Sequence, residues 1–188
     1  MNEGSEATNV AFLDLILALL LGFVAIALFF LPHLNPPGLG DETTPPPGNI
    51  IVEARWADGI DVDIDLWILD PSRRAVSYAN KNGDFFDLLR DDLGNLRDDT
   101  RLNYEFAFSR GTPDGEYIIN VHHFRGSGGI DVDIKVMLSS GRQVFAGAVR
   151  LVYVNQEITV VRFRLKNGVV VAGSIHNTPR PIRTGSRQ

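Results

Sequence analysis

The chain of 188 residues carries 23 acidic against 18 basic side chains, a net charge of −5, and no cysteine. An acidic balance argues against a general nucleic-acid binder, whose surface must offer Lys and Arg to phosphates. Without cysteine there is neither a disulfide framework nor a Cys-based zinc site.

Residues 1–8 hold Glu3 and Glu6 but no Lys or Arg, and residues 9–34 then read NVAFLDLILALLLGFVAIALFFLPHL. From residue 15 to residue 31 there is no charged or strongly polar side chain. A bilayer core of ~30 Å takes ~20 apolar residues at ~1.5 Å each, so residues 9–34 are expected to form a single transmembrane helix. A secretory signal fits less well: the leader lacks a positive charge, the run exceeds a ~7–15-residue signal core, and no A-x-A site follows. A buried core helix would need a domain around it, and a Pro-rich stretch follows instead.

Asp14 is the exception inside this run. An ionisable group at the centre of a spanning helix costs ~2.5–3.5 kcal/mol on insertion scales, less near an end, so it calls for a partner, a water path or a proton. Lying about one turn deep, it could also reach the headgroups as part of a plain anchor. Steps of four and three put Asp14, Ala18, Gly22 and Ala25 on one stripe, while Leu15, Leu19, Phe23 and Phe30 point elsewhere. Ala18 and Gly22 make a small-xxx-small pair that admits close backbone approach in lipid. The stripe therefore reads as a helix-packing face that turns the carboxylate toward a partner.

The segment NVAFLDLIL with its Leu-rich continuation resembles the start of the spanning helix in the ExbD/TolR biopolymer-transport subunits and, more distantly, the MotB flagellar stator subunit. The resemblance implies that Asp14 is the proton-carrying carboxylate of an ion-driven motor, with two copies of the helix inside a ring of ExbB/TolQ/MotA-like multi-helix subunits. It also implies a bacterial inner-membrane protein with residues 1–8 in the cytoplasm and the C-terminal domain in the periplasm, where it would act on an unknown load. Charge alone gives no orientation, because neither flank of the helix has Lys or Arg close by.

Six prolines and three glycines fall within residues 32–48. Proline biases a chain toward extended polyproline conformation at ~3.1 Å per residue, so residues 35–48 are expected to be a semi-stiff stalk.

Beyond it the hydrophobic period becomes two. Residues 49–55, 61–69, 75–80, 102–108, 116–124, 130–138, 143–152 and 156–165 read as strands rich in Val, Ile, Phe and Tyr. Gly, Asn, Asp and Pro break them, as at Pro113-Asp114-Gly115 and Lys166-Asn167-Gly168. Many short strands with tight turns predict an all-β domain over residues 49–176, an antiparallel β-sandwich of jelly-roll or Ig-like character. Residues 177–188, with Arg180, Arg183 and Arg187 among Pro, Thr, Gly and Ser, are expected to form a disordered tail.

The hexapeptide Gly-Ile-Asp-Val-Asp-Ile occurs twice, at residues 59–64 and 129–134, and reads as equivalent central strands in two halves of a sandwich. In the first copy Val62, Ile64, Leu66 and Ile68 should face inward and Asp61, Asp63, Asp65 and Trp67 outward. The run from Trp56 through Asp61-Val62-Asp63-Ile64 and Asp70-Pro71 to Gly115-Glu116-Tyr117 is similar to uncharacterised bacterial β-sandwich domains with a W…DVDL…GxYxVxV pattern, which implies a fold and no activity.

Asp61, Asp63, Asp131 and Asp133, together with Asp65 and the acidic segment holding Asp87, Asp91, Asp92 and Asp98, invite a calcium site of hard oxygen ligands. Against it, no EF-hand loop is present, and alternating Asp on a strand usually marks a solvated face. Residues 85–90 read as a short helix or hydrophobic tip, with core packing equally open. His122 and His123 are adjacent in a strand, so their rings point to opposite sides and one should be half-buried and the other exposed. No nucleophile motif, phosphate loop or zinc-protease motif occurs, so no enzyme and no cofactor are expected. Two functions remain: an ExbD/TolR/MotB-like motor subunit, or a membrane-tethered sandwich that binds glycan or protein, with or without calcium, and in which Asp14 is idle.

Overall fold

The computed structural model describes residues 3–34, 48–94 and 100–183, and within the N-terminal helix the side chains of residues 10–30. The chain divides into two compact units, Met1–Thr44 and Pro45–Gln188. The first contains helix α1, Glu3–Leu34. It starts earlier than the apolar run because residues 3–8 include helix-forming Glu and Ala and no Pro to stop it. Within it Val10–Phe30 is long and apolar enough to cross a membrane, and none of that segment is buried in the chain. The expected stalk, apart from Gly48, lies outside the described residues, as do Asp98 and the last five residues of the tail.

The second unit is all β. In chain order the strands are β1 Ile50–Arg55, β2 Asp63–Leu69, β3 Ala75–Val76, β4 Phe86–Arg90, β5 Tyr104–Ser109, β6 Gly115–Arg125, β7 Ile130–Leu138, β8 Gln143–Leu151, β9 Glu157–Lys166 and β10 Val169–Val170. They form two five-stranded sheets, ordered β4-β5-β1-β7-β8 and β10-β9-β6-β2-β3. Every neighbouring pair is antiparallel. The architecture is a β-sandwich, with the chain crossing between sheets at β1–β2, β3–β4, β5–β6, β6–β7 and β8–β9.

Alternation builds the core. Val52, Ala54, Ile134 and Val136 face inward from one sheet and Ile64, Leu66, Ile68, Ile119, Val121 and Phe163 from the other. Each large aliphatic or aromatic side chain so buried contributes roughly 1.5–3 kcal/mol. Tyr117 stacks on Phe163 at 5.1 Å between ring centroids, and its hydroxyl donates to the Pro113 carbonyl at 2.7 Å.

Four local expectations need correction. Residues 85–90 are neither helix nor tip but take the core-packing alternative, as a strand: Phe86 and Leu88 alternate into the core and β4 pairs with β5. The strand expected at 75–80 shrinks to Ala75–Val76, because Ser77 and Asn80 close a turn on each other. An additional strand, β10, pairs back on β9 through Asn167-Gly168, both at positive φ as a tight hairpin turn demands. The described part of the tail, residues 177–183, lies on the sandwich. His176 pairs with Arg162 through two backbone hydrogen bonds, the Arg180 amide donates to Thr159 Oγ1, and Ile182 packs on Trp67 and Ile118. Residues 176–183 thus cover the outer side of the β6-β2 region, where Trp67, Ile118, Asn120 and His122 would otherwise lie bare.

Candidate functional site

On α1, Asp14, Ala18, Gly22 and Ala25 share the stripe inferred from their spacing, and each is exposed. A Cβ added at Gly22 would meet nothing within 4 Å. The small-residue face is exposed, as is every other face of Val10–Phe30.

The four aspartates singled out for calcium do not come together. Asp131 and Asp133 alternate with buried Val132 and Ile134 on the solvent side of β7, where Asp131 accepts from Arg150 at 2.7 Å. Asp61 precedes β2 and pairs with Arg125 at 3.0 Å. Asp63 and Asp65, expected on an exposed face, are each only 3% exposed. A solvated face would leave them bare, but here the strap of residues 176–183 and the turn at 91–94 cover them.

Around Asp65 the buried groups assemble. β3 pairs with β2 only at Ile68 and Leu69, so the edge of β2 before them has no strand partner on that side. Into this gap reaches Glu105 of β5 in the other sheet. It is fully buried, and its Oε2 accepts the otherwise unpaired Leu66 amide at 2.6 Å. Asp91 follows β4 and adds a third carboxylate. Asp65, Asp91 and Glu105 each bring an oxygen to within 4.8 Å of the others.

The surroundings fix this cluster unevenly. His122 Nδ1 faces Asp65 Oδ2 at 2.8 Å and its Nε2 faces the Arg183 guanidinium, so both ring nitrogens are engaged. Lys81, half exposed, pairs with Asp91 at 2.9 Å. Asp92 makes a tight turn by accepting the Gly94 amide at 2.9 Å, with Gly94 at φ 63°, and Arg90 reaches it at 3.1 Å. A side chain at Gly94 would also press on Asp61 Oδ1 at 2.9 Å. Three buried oxygens, Glu105 Oε1, Asp91 Oδ1 and Asp63 Oδ1, accept from no N–H or hydroxyl group, and the Glu105 and Asp91 carboxyls lie in hydrogen-bond reach of each other.

Electrostatics follow from that burial. Asp63 is pushed up to about 7, first by burial and then by the Asp65 charge, with Arg125 opposing. Glu105 is held well above the usual carboxylate range by complete burial and then by Asp65. Asp65 is raised by burial too, although its His122 hydrogen bond pulls the other way. In all three the loss of water outweighs the hydrogen bonds and cations that favour the charged form.

Both histidines are fully buried, correcting the half-exposed expectation. His122 lies under the strap, while His123 shares the inward side of Val121, where its ring meets the backbone of Arg125 and Tyr153. Its pKa is lowered, by burial first and then by His122. The sequence reading also passed over Glu105. Size alone would turn Tyr104, Phe106 and Phe108 inward, yet Glu105, Ala107 and Ser109 are the buried face of β5. A carboxylate between two large aromatics on a strand was the available signal.

Comparison with known protein families, with characterised proteins and with solved structures finds no match.

Proposed function

We propose that this chain is a single-pass, ExbD/TolR/MotB-like subunit of an ion-driven motor in a bacterial inner membrane, with its β-sandwich in the periplasm. The observation that carries this reading is the placement of Asp14 in an otherwise uncharged span, on the same stripe as Ala18, Gly22 and Ala25. A carboxylate there is costly unless a second helix or a water path meets it. Small residues below it let such a helix approach. The partners are a second copy of the chain and a ring of multi-helix membrane subunits, and the sandwich passes motion to a periplasmic load.

The test is expression in membranes together with the multi-helix protein that copurifies with it. Asp14→Asn is expected to insert and assemble normally but to abolish proton flux through the complex. Gly22→Leu is expected to reduce crosslinking of the helices far more than Leu19→Ile does. Normal flux in Asp14→Asn, or no multi-helix partner at all, would sink the motor reading.

A second reading is a tethered module that binds glycan or protein and has an idle Asp14. It is favoured by the sandwich having a buried polar centre of its own.

A further inference from the structure

We propose that Asp65, Asp91 and Glu105 form a divalent-cation site that takes Ca2+ in the gap beside β2. The inference holds under either reading of the whole protein, because it concerns only the β-sandwich.

Three observations converge on it. The first is the meeting of three carboxylate oxygens, each from a different strand or turn, within 4.8 Å of one another. Two ligands on opposite sides of a Ca2+ ion at ~2.4 Å stand ~4.8 Å apart, so one ion can touch all three. The second is a pair of buried oxygens. Glu105 is fully buried and Asp91's side chain is 8% exposed, yet Glu105 Oε1 and Asp91 Oδ1 accept from no N–H or hydroxyl group, and at these oxygens the two carboxyls can bond only each other, through a proton held between them. Buried acceptors without donors cost ~1–3 kcal/mol each, more when charged, and a cation that displaces the shared proton would satisfy both oxygens and the Asp65 carboxylate beside them at once.

The third observation is how the ligands are held. Glu105 is oriented by the Leu66 amide and Asp65 by His122, whose ring is in turn fixed by Arg183. Such outer contacts fix the direction of the oxygens that remain. His122 has both nitrogens engaged, so the donor set is all oxygen, which selects a hard cation over zinc or copper. Mg2+ gives up its waters reluctantly and this gap is nearly closed to solvent, so Ca2+ fits better. Lys81 occupies Asp91 from the outside, and its half-exposed side chain can swing into water when the ion enters.

The full-length protein in detergent, stripped with chelator, would be titrated with CaCl2 or MgCl2 by calorimetry, and its melting followed by tryptophan fluorescence. The expected result is one Ca2+ per chain, a midpoint raised by ~5 °C or more at saturation, and at least ~10-fold weaker Mg2+ binding. Glu105→Gln and Asp91→Asn should each abolish the Ca2+ response, whereas Asp131→Asn should keep it. If Glu105→Gln does not fold, Asp91→Asn at the rim decides alone. Absence of Ca2+ binding by the wild type, or a full response in Asp91→Asn, would overturn the site.

Discussion

The same six residues, Gly-Ile-Asp-Val-Asp-Ile, stand at 59–64 and 129–134 and meet two different fates. In both, Val and Ile turn into the core: Val62 and Ile64 from one sheet, Val132 and Ile134 from the other. Each copy runs into the fourth strand in the order of its own sheet, β2 or β7. Their aspartates differ. On β7 both are exposed, and the strand is paired by β8 from Ile130 to Met137 and by β1 from Asp133 to Leu138. On β2 the ladder is irregular at Asp63, β3 covers only two residues, and the outer side lies beneath residues 176–183. Identical local chemistry therefore gives a solvated face in one sheet and a buried, charge-crowded one in the other. What covers a strand decides what its polar residues do.

Disruption of the shared part should have the largest effect, equal in the two copies. Ile64→Asp and Ile134→Asp each place an unpaired charge in the core, at a cost of ~4 kcal/mol or more, and the sandwich should lose its cooperative melt by circular dichroism. A native-like melt in either variant would contradict the common inward register.

Next comes the cover that only β2 has. Ile182→Ala is expected to cost ~2 kcal/mol in urea unfolding, the low end for a buried aliphatic because the cluster with Trp67 and Ile118 is small. No effect would mean that the strap does not hold the outer face.

The aspartates themselves should respond with smaller, unequal changes. In chelator at pH 8, Asp63→Asn removes a buried charge facing Asp65 and should raise stability by ~1 kcal/mol, whereas Asp133→Asn on the solvent side should change it by less than ~0.5 kcal/mol. Equal responses would erase the contrast between the copies.

The subtlest expectation concerns His123, buried beside β2 opposite Ile64. Its pKa is lowered in the fold by burial and by His122. The stability linked to its neutral form is then complete above the free-histidine value of ~6.5 and is lost as pH falls through the lowered folded value. His123→Gln should flatten that acid loss relative to the wild type in melts taken from pH 7 downward. An unchanged pH profile would show that His123 binds its proton equally well in the folded and unfolded states.

Much of this molecule was written in local pattern. The apolar run gave the helix, and period-two alternation gave the sandwich and the inward face of both hexapeptides, because burial of alternating side chains depends on residues only two apart. The stripe of Asp14, Ala18, Gly22 and Ala25 likewise follows from helical geometry alone. β4 was legible only in hindsight: Phe86 and Leu88 alternate, but a five-residue edge strand in a long connection leaves too short a period to separate from a helical turn.

The buried cluster could not be read that way. Asp65, Asp91 and Glu105 lie on three separate segments, and only the pairing of β4 with β5 and the short reach of β3 bring their oxygens together. Nor does any local rule say that residues 176–183, polar and Pro-containing, lie down on Trp67, Ile118 and His122. The sequence determined which residues form elements and which side of each is apolar, since those depend on neighbours along the chain. The tertiary structure alone decided which polar residues lose their water, because desolvation depends on what arrives from elsewhere to cover them.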